Sequence, residues 1–335
     1  MQAILIVRLG ALGDIVHALP MAAALRSRFP EARLDWLVDE RHLPLLELVP
    51  IVDQRVVWRS RGPSLRRRLS ELSRGLRATR YDATLDAQGL IKSAVLARAS
   101  GAARVIGFAS NALREPLARL FYSESYQVDL SGHVIRKNLA LAAAVGASSP
   151  DPEFPLTVPD TPEAALVREQ APYAVLNPGA AWPNKRWAPG RFGELARMLA
   201  ARHDLRSVVT WGPDDHERAN AVVDAAGGDA VLAPPTDIRA LVGVLQGARL
   251  VVSGDTGPMH LAAALGTPVV ALHGPTDPGR NGPWSATDVA VSHHDACRCQ
   301  NRRRCRQAVP CLDDVPTGRV AEAVATRLGA EEAGS

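Results

Sequence analysis

The stretch Ala3-Ile-Leu-Ile-Val-Arg8-Leu-Gly10-Ala-Leu-Gly13-Asp14-Ile-Val-His17 reads as a buried strand, a glycine-bearing turn and the start of a helix. The apolar run ends at Arg8 after five residues, too few for a secretory segment. A strand passing through glycines into a helix is the opening unit of a doubly wound parallel sheet. Its glycines let a ligand approach the backbone, and its helix start attracts negative charge. The spacing is not GxGxxG, so the dinucleotide fingerprint is missing. Asp14 stands where two readings compete: it caps the helix, or it is a carboxylate at the sheet edge able to act as a general base. Position alone leaves both open.

The same alternation recurs outward from this unit. Strand-like runs fall at 3–8, 33–38, 54–58 and 81–86, then at 173–177, 206–211, 248–253 and 268–272. Helical patterns fall near 17–28, 64–79, 133–145, 190–202, 214–226, 236–246, 257–265 and 316–328. Strands alternating with helices predict βαβ units and an α/β fold of two Rossmann-like domains. Between the halves, residues 149–162 carry five prolines, which neither continue a helix nor sit in a central strand. The expected organisation is a domain at 1–150, this linker, a domain at 163–315, and a C-terminal helix and tail at 316–335. Ligands are expected where the carboxyl ends of the strands open.

Composition supports two globular domains. The 335 residues are 47% hydrophobic, 22% charged and only 4% aromatic, with a net charge of +4. The core must therefore be aliphatic, and the charge is too small to indicate a nucleic-acid partner. No apolar stretch reaches the roughly 18 residues of a membrane span, so a cytoplasmic location is expected.

Four further segments carry chemistry. Val252-Ser-Gly-Asp255-Thr256-Gly257-Pro-Met-His260 repeats the strand, turn and helix, and its N–H groups with Thr256 and His260 make a candidate diphosphate cradle. The loop Asn177-Pro-Gly-Ala-Ala-Trp182-Pro-Asn-Lys185-Arg186-Trp187 offers two cations to a phosphate, or only solvated loop charges. From Arg55 to Arg80 there are nine arginines and one acid, Glu71, while Leu65, Leu69, Leu72 and Leu76 recur at helical spacing. Arg61, Arg66, Arg67 and Arg68 are thus candidates for an anionic partner, against the plainer reading of a solvated face. Cys297, Cys299, Cys305 and Cys311 lie within fifteen residues, so they are no disulfide framework spread over the fold; their spacing differs from paired CxxC. They are candidates for a structural zinc or iron site, with reduced loop thiols as the alternative. No D-x-D occurs in the chain, so a transferase built here must stabilise a diphosphate leaving group with cations and helix termini.

The segments ILIVRLGALGD with HALP, YDATLDAQGLIKSA at 81–94, REPLARLFY at 114–122, Lys185-x-Trp187, DTG-x-x-H at 255–260 and GPTDPG at 274–279 resemble glycosyltransferase family 9, the bacterial lipopolysaccharide heptosyltransferases, most nearly the heptosyltransferase I group. The resemblance implies a GT-B fold, two Rossmann-like domains facing across a cleft. It implies inverting transfer without a metal or other cofactor, from ADP-heptose to a Kdo sugar on lipid A. Asp14 then matches the catalytic base, with Gly13 and His17 beside it on the acceptor side, and Lys185 matches a phosphate-holding residue. Arg186, Glu217, Asp255, Thr256, Gly257 and His260 fall on the donor side. An acidic glycolipid acceptor implies peripheral contact with the inner face of the inner membrane. Leu9-Gly10-Ala11 and Ala180-Ala181 depart from the group, which carries hydroxyl residues there.

Two other classes fit parts of the sequence. A Rossmann oxidoreductase would need the glycine fingerprint. A non-catalytic lipid-binding module would use the arginine helix without turning over a nucleotide sugar.

Overall fold

The computed structural model describes residues 1–62, 64–305 and 310–332. The chain divides into two compact units, Met1–Thr157 and Val158–Ser335.

In the first unit, β1 (Ala3–Val7), β2 (Arg33–Asp39), β3 (Gln54–Trp58), β4 (Ala83–Asp86), β5 (Arg104–Phe108) and β6 (Glu124–Tyr126) form one parallel sheet in the order β3-β2-β1-β4-β5-β6. Its helices are α1 (Leu12–Val16), α2 (Leu19–Arg28), α3 (Leu43–Leu46), α4 (Leu65–Thr79), α5 (Ile91–Ala99) and α6 (Val134–Ala143). Every residue of β1 is buried, as expected for a parallel strand covered on both faces. Register pairs Val7 with Leu37 and with Asp86, which brings the loops after β1, β2 and β4 to one edge.

The second unit repeats the design. Its strands are β7 (Tyr173–Asn177), β8 (Arg206–Val209), β9 (Ala230–Leu232), β10 (Leu250–Gly254), β11 (Val269–His273) and β12 (Val289–Ser292), in the order β12-β11-β10-β7-β8-β9 and again all parallel. Its helices are α7 (Pro162–Arg168), α8 (Pro189–His203), α9 (His216–Ala226), α10 (Ile238–Gln246), α11 (Gly257–Ala264), α12 (Pro278–Asn281) and α13 (Thr317–Glu332). Numbered within its unit, each sheet has the strand order 3-2-1-4-5-6. The direction of winding reverses between β1 and β4, and between β7 and β10. Such a switch point leaves an opening at the carboxyl ends of the strands.

The α/β class with two Rossmann-like units agrees with the sequence reading. Some elements differ. The helix expected over 17–28 starts later, as α2 at Leu19, and a separate short helix, α1, precedes it across His17 and Ala18. β5, β6, β9 and β12, and helices α3, α5, α7 and α12, were not expected. The segment 149–161 contains no helix or strand. Residues 306–309 of the cysteine segment and 333–335 of the tail lie outside the described residues.

Candidate functional site

In the first unit the switch point is closed by Arg8, the residue that follows β1. Its guanidinium donates to the Ala87 carbonyl at 2.5 Å and meets Asp14 Oδ2 at 2.7 Å. Leu9 N–H donates to Gln88 Oε1 at 2.8 Å, so the loop after β4 holds the loop after β1. That second loop is itself pinned by Asp86, which accepts from Gln88 N, Gly89 N, Ser93 Oγ and Tyr122 Oη. Asp86 is fully buried, and burial raises its pKa despite these four donors.

Asp14 is the third residue of α1 and accepts the Ala11 N–H at 3.1 Å; the N-cap position belongs to Ala11. The carboxylate is thus partly a helix-end acceptor, yet its side chain stays 45% exposed while that of Arg8 is 10% exposed. Gly10 leaves room for His42: a Cβ there would lie 2.7 Å from the imidazole Nε2. Burial, reinforced by Arg41, lowers the His42 pKa. Gly13 lies within α1, and buried His17 follows it, edge-on to His133 with ring centroids 5.5 Å apart.

Farther along the same edge, α4 is the amphipathic helix the leucine spacing predicts, although Leu65 is exposed and only Leu76 is fully buried. Arg61, Arg66 and Arg67 are exposed, and Arg67 pairs with Glu71 at 2.8 Å. Arg68 lies over Trp58 at 5.3 Å from the ring centroid, and Lys92 of α5 lies over the same ring at 5.4 Å. Two cations thus meet one indole at the end of β3. Lys92 lies within the quoted segment YDATLDAQGLIKSA but was not singled out from sequence.

In the second unit the turn after β10 and the loop after β7 interlock. Lys185 Nζ meets Asp255 Oδ2 at 2.6 Å and the Asp255 carbonyl at 3.2 Å. The other carboxylate oxygen is 3.0 Å from His260 Nε2. Burial pushes the Asp255 pKa up, but the His260 hydrogen bond and the positive charges around it win, and the carboxyl is held well below its ordinary range. Gly254 permits the crossing of these loops: a Cβ would stand 2.6 Å from the Lys185 carbonyl oxygen. Asn177 ties the strand ends together, donating to Ser253 Oγ at 3.0 Å and Thr256 Oγ1 at 3.2 Å. Thr256 is the N-cap residue of α11, and Gly257 begins that helix.

At Asn177, on the edge of this network, lies a cavity of about 150 Å³ lined by Asn177, Thr210, Trp211, Gly212, Asp237 and Pro258, among others. It sits at the carboxyl ends of β7 and β8, and Trp211 gives it an aromatic side. Arg186 donates to the Ala180 carbonyl at 2.7 Å and approaches Asp215 at 3.5 Å. Glu217 is exposed in the first turn of α9. Lys185, Asp255, Thr256 and His260 are therefore drawn into one cluster, whereas no contact joins Glu217 to it among the described residues. Sequence reading missed Arg8, Gln88, Asn177, Ser253 and Trp211, whose partners are distant in the chain.

Comparison with known proteins gives one consistent result. The profile of Glycosyltransferase family 9 (heptosyltransferase) matches residues 69–309. Lipopolysaccharide heptosyltransferase 1 of Pseudomonas aeruginosa is 32% identical over 321 residues, covering 90% of this chain and 87% of that protein. The solved structure of E. coli heptosyltransferase WaaC with ADP is 27% identical with a TM-score of 0.75, covering 99% of this chain and 98% of that one. The WaaC structure with ADP-2-deoxy-2-fluoro heptose is 26% identical with a TM-score of 0.76, over 97% and 99% of the two chains.

Proposed function

From the premise that this chain belongs to glycosyltransferase family 9, and is thus an enzyme of two Rossmann-like units in the GT-B class, we propose that it moves heptose from ADP-heptose to an anionic inner-core acceptor of the Kdo–lipid A type. The observation that carries the reading is the Lys185–Asp255–His260 network beside the cavity at the carboxyl ends of β7 and β8. Relatives of the same fold were solved with ADP and with an ADP-heptose analogue.

The nucleotide goes to the second unit, its base beside Trp211, with Glu217 at the outer edge of that site. Lys185 has three N–H donors, of which two are engaged by Asp255; the third faces a phosphate oxygen. Asp255 and His260 hold that lysine in place, and the N–H groups at Thr256 and Gly257, with Arg186, take up charge on the departing diphosphate. The acceptor goes to the first unit. Asp14 accepts the proton of an acceptor hydroxyl, that oxygen bonds to the anomeric carbon, and the carbon–phosphate-oxygen bond breaks with inversion to release ADP. Gly13 and His17 shape the backbone beside Asp14. Arg61, Arg66, Arg67, Arg68 and Lys92 attract the acidic glycolipid, at the inner face of the inner membrane; no described helix is long and apolar enough to cross a bilayer.

Transfer is proposed to need no cofactor, because the chain lacks D-x-D and supplies cations in its place. The test is transfer with ADP-, GDP-, UDP- and dTDP-sugars, each with EDTA or with magnesium. Turnover of ADP-heptose at the same rate under both conditions is expected. A strict divalent requirement would overturn the leaving-group scheme. A second reading, another sugar or acceptor in the same family, is favoured by Ala180 and Ala181 in the donor loop; it gains if a different donor is used faster.

A further inference from the structure

The described thiols lie apart from every group the transfer uses. Cys297, Cys299 and Cys311 are buried and unoxidised, and their sulfurs lie within 4.8 Å of one another. Cys297 Sγ is 3.3 Å from Cys299 Sγ and 2.9 Å from Cys311 Sγ, and Cys305 packs against the three. A tetrahedron of Zn–S bonds about 2.3 Å long has edges of roughly 3.8 Å, so modest side-chain rotation would seat an ion among them. The surroundings suit a metal thiolate. Arg298, Arg302, Arg303 and Arg304 stand between the cysteines in the chain and are exposed. Four thiolates around a divalent ion carry two net negative charges, which these guanidinium groups offset.

The cluster also grips the donor loop. Asn184, the residue before Lys185, is buried and donates from Nδ2 to Cys299 Sγ at 3.5 Å and to the Arg302 carbonyl at 2.8 Å. Asn301 N–H donates to the Pro275 carbonyl at 2.7 Å, in the loop after β11. A Cβ on Gly274 would lie 3.1 Å from the Asn184 carbonyl and 3.5 Å from Cys311 Sγ. The cysteines therefore stand where the Lys185 loop, the end of β11 and the approach to α13 converge.

We propose that Cys297, Cys299, Cys305 and Cys311 bind one thiophilic ion, zinc or iron, and that this site fastens the Lys185 loop through Asn184. The ion has no part in the transfer chemistry. Its four ligands close a loop that covers few apolar residues, which is the usual use of a structural thiolate site. The effect on Lys185 rests on the donor-site reading above; the presence of the ion does not.

The test uses the whole protein, made in medium containing zinc and iron and purified anaerobically without chelators. Elemental analysis is expected to find about one zinc or iron per chain, and which metal predominates decides between the two. X-ray absorption at that metal's edge is expected to show sulfur ligands only. Metal-free protein with four titratable thiols, or with a Cys297–Cys311 disulfide, would overturn the site, and so would a first shell of nitrogen and oxygen. These readings need no variant. Cys297→Ser with Cys311→Ser is then expected to abolish metal retention. Asn184→Ala should keep the metal and weaken ADP binding by roughly tenfold, the scale on which supporting partners act at metal sites. Full metal with unaltered ADP affinity in Asn184→Ala would leave the ion and remove its hold on Lys185.

Discussion

The two units share one strand order and place an ion pair at the same topological point, but with opposite polarity. At the end of β1 the cation is the hidden partner: Arg8 is 10% exposed and presents Asp14 at 45%. At the end of β10 the anion is hidden: Asp255 is 3% exposed and presents Lys185 at 14%. Each less exposed member has a further partner, Arg8 the Ala87 carbonyl and Asp255 the His260 ring, while Asp14 accepts the Ala11 N–H and Lys185 also reaches the Asp255 carbonyl. The buried charge is compensated and fixed, and the outer charge is aimed. Each unit thus leaves one outer charge, a carboxylate in the first and an ammonium in the second. The proposed in-line transfer uses them as base and as leaving-group cation.

The sharpest way to break this comparison is Asp14→Asn. The substitution keeps the shape and the Ala11 contact but removes the basic oxygen pair. Turnover is expected to fall on the order of 10²–10⁴-fold, the usual worth of a general base, with donor affinity unchanged. Steady-state rates together with calorimetric ADP binding check this. A variant that keeps more than about a tenth of the rate would reduce Asp14 to a helix-end acceptor, and the two units would no longer be counterparts.

Asp255→Asn probes the hidden partner in the other unit. Removing one member of a buried charged network typically costs about 3–5 kcal/mol. It should therefore lower the unfolding midpoint as well as weaken ADP binding. The sign of the pH effect follows from the depressed pKa of Asp255. Its contribution is fully present above the ordinary carboxylate range near 4 and is lost as pH falls below it through the folded-state value. The variant should flatten that acid limb in a thermal melt series. Equal acid sensitivity in both proteins would mean that Asp255 is not the group holding the loop.

Much of the architecture could be read from the chain. Strands such as Ala3–Val7 and Leu250–Gly254 are short apolar runs ending at glycine or a charge, and buried parallel strands leave that mark. β5 escaped because Gly107 interrupts Arg104–Phe108 and reads as a turn, whereas its missing side chain makes room for Tyr122. β6 and β9 have three residues each, too few for a period to show. Asp14 and Asp255 were marked in the sequence as polar residues just past apolar runs, and Lys185 and His260 by the segments around them. Their supports were not. Arg8 reaches Ala87 across 79 positions and Asn177 reaches Ser253 across 76, and spacing carries no trace of a contact that the sheet order alone creates.

The smallest expected effect concerns α4, whose counterpart between the third and fourth strands of the second unit, α10, carries one arginine, Arg239. If its arginines attract an acceptor bearing carboxylates and phosphates, the triple Arg66/Arg67/Arg68→Ala variant should raise the acceptor KM several-fold and leave the donor KM in place. No single arginine should matter much. Arg67 already shares its charge with Glu71 on an exposed helix face, and such pairs are usually worth below about 1 kcal/mol. Arg68 differs from its neighbours by lying over Trp58 beside Lys92, so Arg68→Ala alone should carry the largest share of the loss. The difference between triple variant and native protein should shrink at high salt, because exposed charges are screened over about 8 Å at physiological ionic strength. Kinetics with each substrate varied separately, at two salt concentrations, decide the matter. Unchanged acceptor kinetics would return α4 to a solvated face. A donor KM that rose instead would show that the cationic surface of the first unit serves the nucleotide sugar, and the division of labour between the units would have to be redrawn.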